Sequence, residues 1–256
     1  MARKPILSPT RLSTYLACPV KYRWTFVDPR GRVLQRAKWY YSFGSSLHRT
    51  LEELYRRDLS GVPIKEAVAE TLEENWISAG FHSPEEAEEA LAEGRGILTT
   101  FVETEIQKPE GVEVLDVERR IQKDMGEYIL LGVVDRINRR PDGSIEIVDY
   151  KSLRSETKPE DVRNDLAMMC YQILVRSLFE APRYYSTIVS LRTNHTATVE
   201  ISQEEVDLFT EDLNALATEI LNREFHEIEP RWKPLCADCD FLPLCKRHED
   251  FHPPSG

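Results

Sequence analysis

The stretch from residue 127 to residue 151 constrains the fold more than any other part of this 256-residue chain. Residues 127–137 are rich in Val, Ile and Leu, and Ile145-Glu146-Ile147-Val148-Asp149-Tyr150 alternates apolar and polar positions. Between them, Arg140-Pro141-Asp142-Gly143 has the composition of a turn. A hairpin centred on Asp142 sets Asp135 directly opposite Asp149, and period-two alternation places Lys151 on the face of Asp149. Opposed like charges destabilise a sheet unless one carboxyl takes up a proton or a cation binds. Carboxylates on rigid strands are hard ligands suited to Mg²⁺ or Mn²⁺. A neighbouring ammonium suits negative charge growing on a phosphate, or the placement of an attacking water. The same residues also fit a surface hairpin with incidental charges, since 30% of the chain is charged.

Around the hairpin the pattern is helices, then strands, then helices. Ser8 caps a helix entered through Pro9 and carrying Leu12, Tyr15 and Leu16. A second helix, starting near Ser45 or Ser46, buries Leu47, Leu51 and Leu54; His48 lies on its opposite face, one turn before Glu52. Further helices are expected over 64–78, from Ser83 through Phe101, and over 160–180. The Ser202-Gln203-Glu204-Glu205 capping box opens another, with Val206, Phe209, Leu213, Leu216 and Ile220 on one face. Strands are expected over 112–121, 184–192 and 196–201. The fold class is therefore α/β, with a mostly antiparallel sheet. One domain is expected over 1–256: a mainly helical part (1–107), a sheet core (108–201), and a C-terminal helix with a cysteine tail (202–256).

The net charge of −11 argues against nucleic acid only as an average. Residues 1–60 hold twelve Lys and Arg against four Asp and Glu, whereas residues 61–107 hold two against eleven. A basic N-terminal segment suits phosphate binding, and both stretches equally suit solvated helix faces, so charge does not decide. No apolar run reaches the roughly 20 residues of a membrane span, and the N-terminus lacks a signal-like apolar region. A cytoplasmic location is expected, where cysteines serve as metal ligands or free thiols.

Cys236, Cys239 and Cys245 form a C-x2-C-x5-C set within ten residues. Three thiols do not close a structural site, and Cys18, Cys170 and His248 are candidates for the fourth position. Cys170 lies among Leu166, Met168, Met169 and Ile173, as a core cysteine does. Spacing alone admits zinc or an iron–sulfur cluster.

Leu7-Ser8-Pro9-Thr10-Arg11-Leu12, Cys18-Pro19, Phe43-Gly44 with His48, Gly132-Val133-Val134-Asp135-Arg136-Ile137, Val148-Asp149-Tyr150-Lys151-Ser152 and the terminal cysteines follow one another in that order. Together they resemble the RecB-like branch of the PD-(D/E)XK nucleases, and within it the members that carry a 4Fe-4S cluster. Those are the AddB C-terminal nuclease domain, stand-alone RecB-family exonucleases and CRISPR-associated spacer-acquisition nucleases. The resemblance implies a restriction-endonuclease-like mixed sheet flanked by helices. It implies a Mg²⁺ or Mn²⁺ ion held by His48, Asp135, Asp149 and the main-chain carbonyl of Tyr150, with Lys151 as the catalytic lysine. It also implies an iron–sulfur cluster on Cys18, Cys236, Cys239 and Cys245, with Cys170 free. The family's Gln-x-x-x-Tyr motif is incomplete: Tyr171 matches, but Ala167 stands four residues before it, and Gln172 is next to the tyrosine.

The function expected on these grounds is metal-dependent hydrolysis of DNA, as an exonuclease acting on ends or single strands in repair or recombination. A helicase or a CRISPR integrase is the implied partner. Arg11, Lys21, Arg23 and Arg154 are expected along the phosphate backbone, and Tyr171 and Gln172 near the site or DNA. The alternatives are a spacer-acquisition nuclease, a non-catalytic DNA-binding or assembly module, and a zinc-stabilised structural protein.

Overall fold

The structure is a computed structural model, and it describes residues 4–57, 61–106, 111–152 and 154–252. A short strand β1 (Ile6–Leu7) leads into α1 (Pro9–Ala17), α2 (Pro19–Tyr22), a π-turn (Arg23–Val27) and a 3₁₀ turn (Pro29–Leu34). Three longer helices follow: α3 (Trp39–Arg56), α4 (Ile64–Glu74) and α5 (Pro84–Ile106). Strands β2 (Glu113–Asp124), β3 (Ile129–Arg139) and β4 (Ile145–Lys151) come next, then α6 (Pro159–Asn164) and α7 (Leu166–Val175). The chain continues through β5 (Tyr184–Ser190), β6 (His195–Glu200) and α8 (Gln203–Leu221) to two 3₁₀ turns and a last short helix, α9 (Leu242–Cys245).

The sheet is mixed. Strands β2–β3, β3–β4 and β5–β6 pair antiparallel, while β1–β3 and β4–β5 pair parallel. A strand has two edges, and β2 runs along one whole edge of β3. Strand β1 at Ile129–Leu130 and β4 at Arg136–Arg139 therefore share the other edge, leaving residues 131–135 between them. The β3–β4 register is the expected one, with Ile137 opposite Ile147 and Arg136 opposite Val148.

Side-chain alternation divides the core between the two faces. On β4, Ile145 and Ile147 enter a cluster with Leu12, Tyr15, Cys170, Leu174 and Leu213 from α1, α7 and α8. Val148 and Tyr150 enter a second cluster with Phe43, Leu47, Leu51, Val68, Leu98 and Phe101 from α3, α4 and α5. Leu47 and Leu51 are fully buried, each contributing about 1.5–3 kcal/mol of apolar burial.

Two expected boundaries differ for physical reasons. Helix α3 begins at Trp39, not near Ser45, because Trp39 and Phe43 extend the apolar stripe backwards. Ser46 bonds the carbonyl of Ser42 one turn earlier instead of capping the helix. The expected helix over 160–180 is broken at Asp165, whose extended backbone ends α6 and whose carboxylate caps α7 through the amide of Met168. Among the described residues, no helix is long and apolar enough to cross a membrane.

Candidate active site

The site forms where β4 parts from β3. Backbone pairing ends at Arg136 opposite Val148, so the expected direct pair of Asp135 with Asp149 is not made by the ladder. Instead, Asp135 Oδ2 accepts the amide of Tyr150 at 2.7 Å, continuing the ladder through a side chain. Strict alternation fails here: Val134 and Ile137 both face the α1/α7/α8 cluster, and Asp135 occupies the irregular step between them. The matching step on β2 is Glu118, between the pairs Val117–Arg136 and Arg119–Val134, with a left-handed φ of 48°.

Asp135 and Asp149 are both buried. Burial, and next the charge of Asp135, push the Asp149 carboxyl up to about 6, against the pull of Lys151 and His48. Lys151 Nζ lies 2.8 Å from Asp149 Oδ2 and 3.8 Å from Asp165. Burial favours a neutral amine, but the charges of Asp149 and Asp165 outweigh it and hold the Lys151 pKa above its ordinary value. Lys151 is thus an ammonium poised to stabilise negative charge.

Helix α3 supplies His48 from the other face of the sheet. Its Nε2 lies 2.9 Å from the carbonyl oxygen of Tyr150, and its Nδ1 lies 3.3 Å from Asp135 Oδ1 and 3.8 Å from Glu118 Oε1. Burial works against protonation, yet the neighbouring carboxylates, Asp135 first, then Glu118 and Asp149, raise the imidazole pKa well above its usual value. A cation in this position would relieve the same concentration of negative charge. The donor atoms suit a hard divalent ion: the Asp135 carboxylate, the His48 imidazole and the Tyr150 main-chain carbonyl meet here, with Asp149 close enough to feel their charge. Ligand atoms of His48, Glu118 and Asp135 lie within 4.8 Å of one another.

A cleft of about 470 Å³ opens over this group, lined by Tyr40, Tyr41, Ser45, Arg49, Glu52 and Ser152 among others. Sequence reasoning missed Glu118 and Arg49. Of the basic residues it named, Arg154 is exposed, 4.0 Å from Glu93. Arg11 stacks on Phe26, and Arg23 lies over Trp24, away from the cleft. Lys21 lies beside Cys239 and Asp238.

Tyr171 is buried next to the site. Burial, then Asp149 and Asp135, raise its hydroxyl pKa. Gln172 corrects an expectation: it is fully buried, donates to Ser186 and accepts from Arg176, so its amide is spent inside the fold. One residue's difference along α7 turns the side chain by about 100° of helix, from the site to the underside of the sheet.

The C-terminal tail returns to the N-terminal segment. Burial first, then the thiols of Cys239, Cys18 and Cys236, push the Cys245 thiol up to about 12, so Cys245 lies in electrostatic reach of the other three, although no three of these sulfurs lie within 4.8 Å of one another. The amides of Lys21 and Lys233 point at the sulfurs of Cys18 and Cys236 at 3.4 Å. Such N–H···S contacts accompany thiolate–metal sites. Cys170 is fully buried in the core. His248 faces Asp250, 3.6 Å away.

The family model of the PD-(D/E)XK nuclease superfamily matches residues 6–246. The chain belongs to this superfamily. Its mixed sheet flanked by helices is the restriction-endonuclease-like fold of that superfamily. Over 114 residues, 43% of the chain, it is 36% identical to one subunit of the ATP-dependent helicase/deoxyribonuclease of Streptococcus pyogenes serotype M49 (strain NZ131). The corresponding protein of serotype M3 (strain SSI-1) is 35% identical over the same length. These matches support the RecB-like branch of the superfamily. The matched stretch is 10% of each relative's length. The crystal structure of a candidate exonuclease from Eubacterium rectale superposes with a TM-score of 0.55 at 12% identity, covering 98% of this chain and 91% of that one. That likeness concerns the fold alone.

Proposed function

We propose that this PD-(D/E)XK nuclease is a Mg²⁺- or Mn²⁺-dependent deoxyribonuclease that hydrolyses phosphodiester bonds at DNA ends or in single strands, in repair or recombination. The observation that carries the proposal is the buried pair Asp135 and Asp149, with Lys151 Nζ 2.8 Å from Asp149 and with Asp135 and His48 lining an open cleft. His48, Asp135, Asp149 and the Tyr150 carbonyl would hold the divalent ion. When bound, such an ion polarises a phosphoryl oxygen and acidifies an attacking water. Lys151 stabilises charge developing on the phosphate or orients the water, Asp135 fixes the Tyr150 main chain, and Asp165 helps to keep Lys151 charged. Arg49 at the cleft and the exposed Arg154 offer contacts to the DNA backbone.

Cys18, Cys236, Cys239 and Cys245 are proposed to hold a 4Fe-4S cluster, supported by the nearness of the other three thiols to Cys245 and the two amide–sulfur contacts. The alternative occupant is zinc, which metal and acid-labile sulfide analysis of anaerobically purified protein distinguishes. The names of the Streptococcus relatives make a helicase the favoured partner. No observation speaks for a CRISPR integrase.

The test is digestion of end-labelled single- and double-stranded DNA with Mn²⁺. Lys151→Ala should lower the rate by about a hundredfold or more, as loss of an electrostatic catalytic group does. A Lys151→Ala protein that cleaves as fast as the parent overturns the assignment.

A further inference from the structure

Glu118 has no role in the nuclease reading, yet its setting is unusual. It lies inside β2, opposite Asp135, where a strand residue would be extended, but its φ is 48°. A left-handed non-glycine residue inside a strand is rare. Its carboxylate reaches His48 Nδ1 at 3.8 Å, and among the described residues it has no other ion-pair partner. It lines the same cleft as His48 and Asp135.

The orientation of the His48 ring gives this contact a purpose. Nε2 lies 2.9 Å from the Tyr150 carbonyl oxygen, the spacing of two adjacent donor atoms on one octahedral ion with bonds of about 2.1 Å. An imidazole that ligates through Nε2 must carry its proton on Nδ1, and that N–H needs an acceptor. Asp135 is a poor choice, since Oδ2 is bonded to the Tyr150 amide and Oδ1 is the atom left for a metal. Glu118 is the remaining carboxylate. We infer that Glu118 is a positioning residue: it accepts the His48 Nδ1–H, fixes the ring tautomer, and so presents Nε2 to the divalent ion.

The inference rests on the metal site of the proposed nuclease, but it can fail independently of that reading. Mn²⁺ affinity is measured by calorimetry on the full chain without DNA, for the parent, Glu118→Gln, Glu118→Ala and Glu118→Gly. Removal of such a carboxylate partner lowers metal affinity by about ten- to a hundredfold, and this loss is expected for Glu118→Ala. Glu118→Gln retains an oxygen acceptor and is expected to keep most of the affinity. Glu118→Gly guards against a folding artefact, because glycine suits the left-handed backbone; it should fold at least as well as the parent and still bind Mn²⁺ weakly. Long-range ¹H–¹⁵N spectra of the Mg²⁺-loaded protein read the tautomer, with Nδ1–H expected in the parent and loss of that single form in Glu118→Ala.

Unchanged Mn²⁺ affinity and tautomer in Glu118→Ala and Glu118→Gly overturn the inference. So does a Glu118→Gln protein as weak as Glu118→Ala, which makes Glu118 a direct ligand. Asp135→Asn is the control. If it abolishes Mn²⁺ binding while the Glu118 variants bind as tightly as the parent, only the positioning role falls. A parent protein that binds Mn²⁺ but leaves DNA intact removes the nuclease reading alone.

Discussion

Replacing Asp149 with asparagine should make the metal-free protein more stable. The carboxyl is buried, with only 5% of the residue exposed, and its pKa stands at about 6 against an ordinary 3.8. By linkage, that difference amounts to about 3 kcal/mol of destabilisation once the group is ionised in both folded and unfolded chains. Because the folded pKa is the higher one, the penalty is fully present above about pH 6 and is absent below pH 4. The attraction of Lys151, 2.8 Å away, is already contained in that pKa, so asparagine removes the whole of this net penalty. The gain of about 3 kcal/mol corresponds to a melting temperature higher by about 6–12 °C for a domain of this size. Calorimetry of parent and Asp149→Asn in EDTA, from pH 4.5 to 8, is the assay. The gain should shrink toward zero as the pH falls below 6, because the parent recovers stability by protonation. Mn²⁺ at about a thousand times its Kd at pH 7.5 should reverse the order, since it adds about 4.1 kcal/mol to the form that binds it. A variant that melts below the parent in EDTA by the same margin at every pH refutes the electrostatic account of this pair.

Two further outcomes are expected from the fold and the tail. A methyl group on Gly132 would lie 2.6 Å from Leu174 Cδ1 and 3.0 Å from the Tyr171 ring; Gly132→Ala should therefore cost about 1–3 kcal/mol, read as a lower urea midpoint with an unchanged slope. Cys18→Ser and Cys236→Ser should each strip iron and sulfide from anaerobically purified protein, while Cys170→Ser should not; equal metal content in all three removes the cluster assignment.

The hairpin, its register and the helix faces were legible because each depends on local spacing. Pro141-Asp142-Gly143 fixed the turn, and alternation fixed which residues of β4 face each core. The break in alternation at Asp135 was not legible, because it is imposed by the neighbouring strand. The signal for Glu118 was present but unused. Centring the preceding hairpin on Gly126-Glu127, where Gly126 has a φ of 94°, sets Glu118 opposite Asp135. Gln172 was misjudged for another reason: its neighbour Tyr171 matches a family motif, but only the packing of α7 on β5 decides which of the two faces the site. The nearness of Cys18 to the tail could be read only through the family resemblance, since more than 200 residues separate them.

That long-range contact connects the cysteine cluster to the active site through α3. Lys233 bonds the carbonyl of Ala17, Asp238 accepts from Lys38 and Tyr40, and Asp240 accepts the amide of Arg36. The tail thus grips the chain just before α3 and in its first turn. His48 lies two turns farther along the same rigid helix, and Tyr40 and Tyr41 line the cleft above it. These polar contacts are mostly exposed, worth at most about 1 kcal/mol each, too little alone to fix the tail against the entropy of closing so long a loop. Bonds from four thiolates to one cluster are strong enough to do so. Under the proposed assignment, such a cluster would set the depth at which α3 delivers His48 to Asp135, without taking part in the chemistry. Loss of the cluster should accordingly weaken Mn²⁺ binding at a site that contains no cysteine, whereas a tail that merely decorates the fold would leave that affinity unchanged.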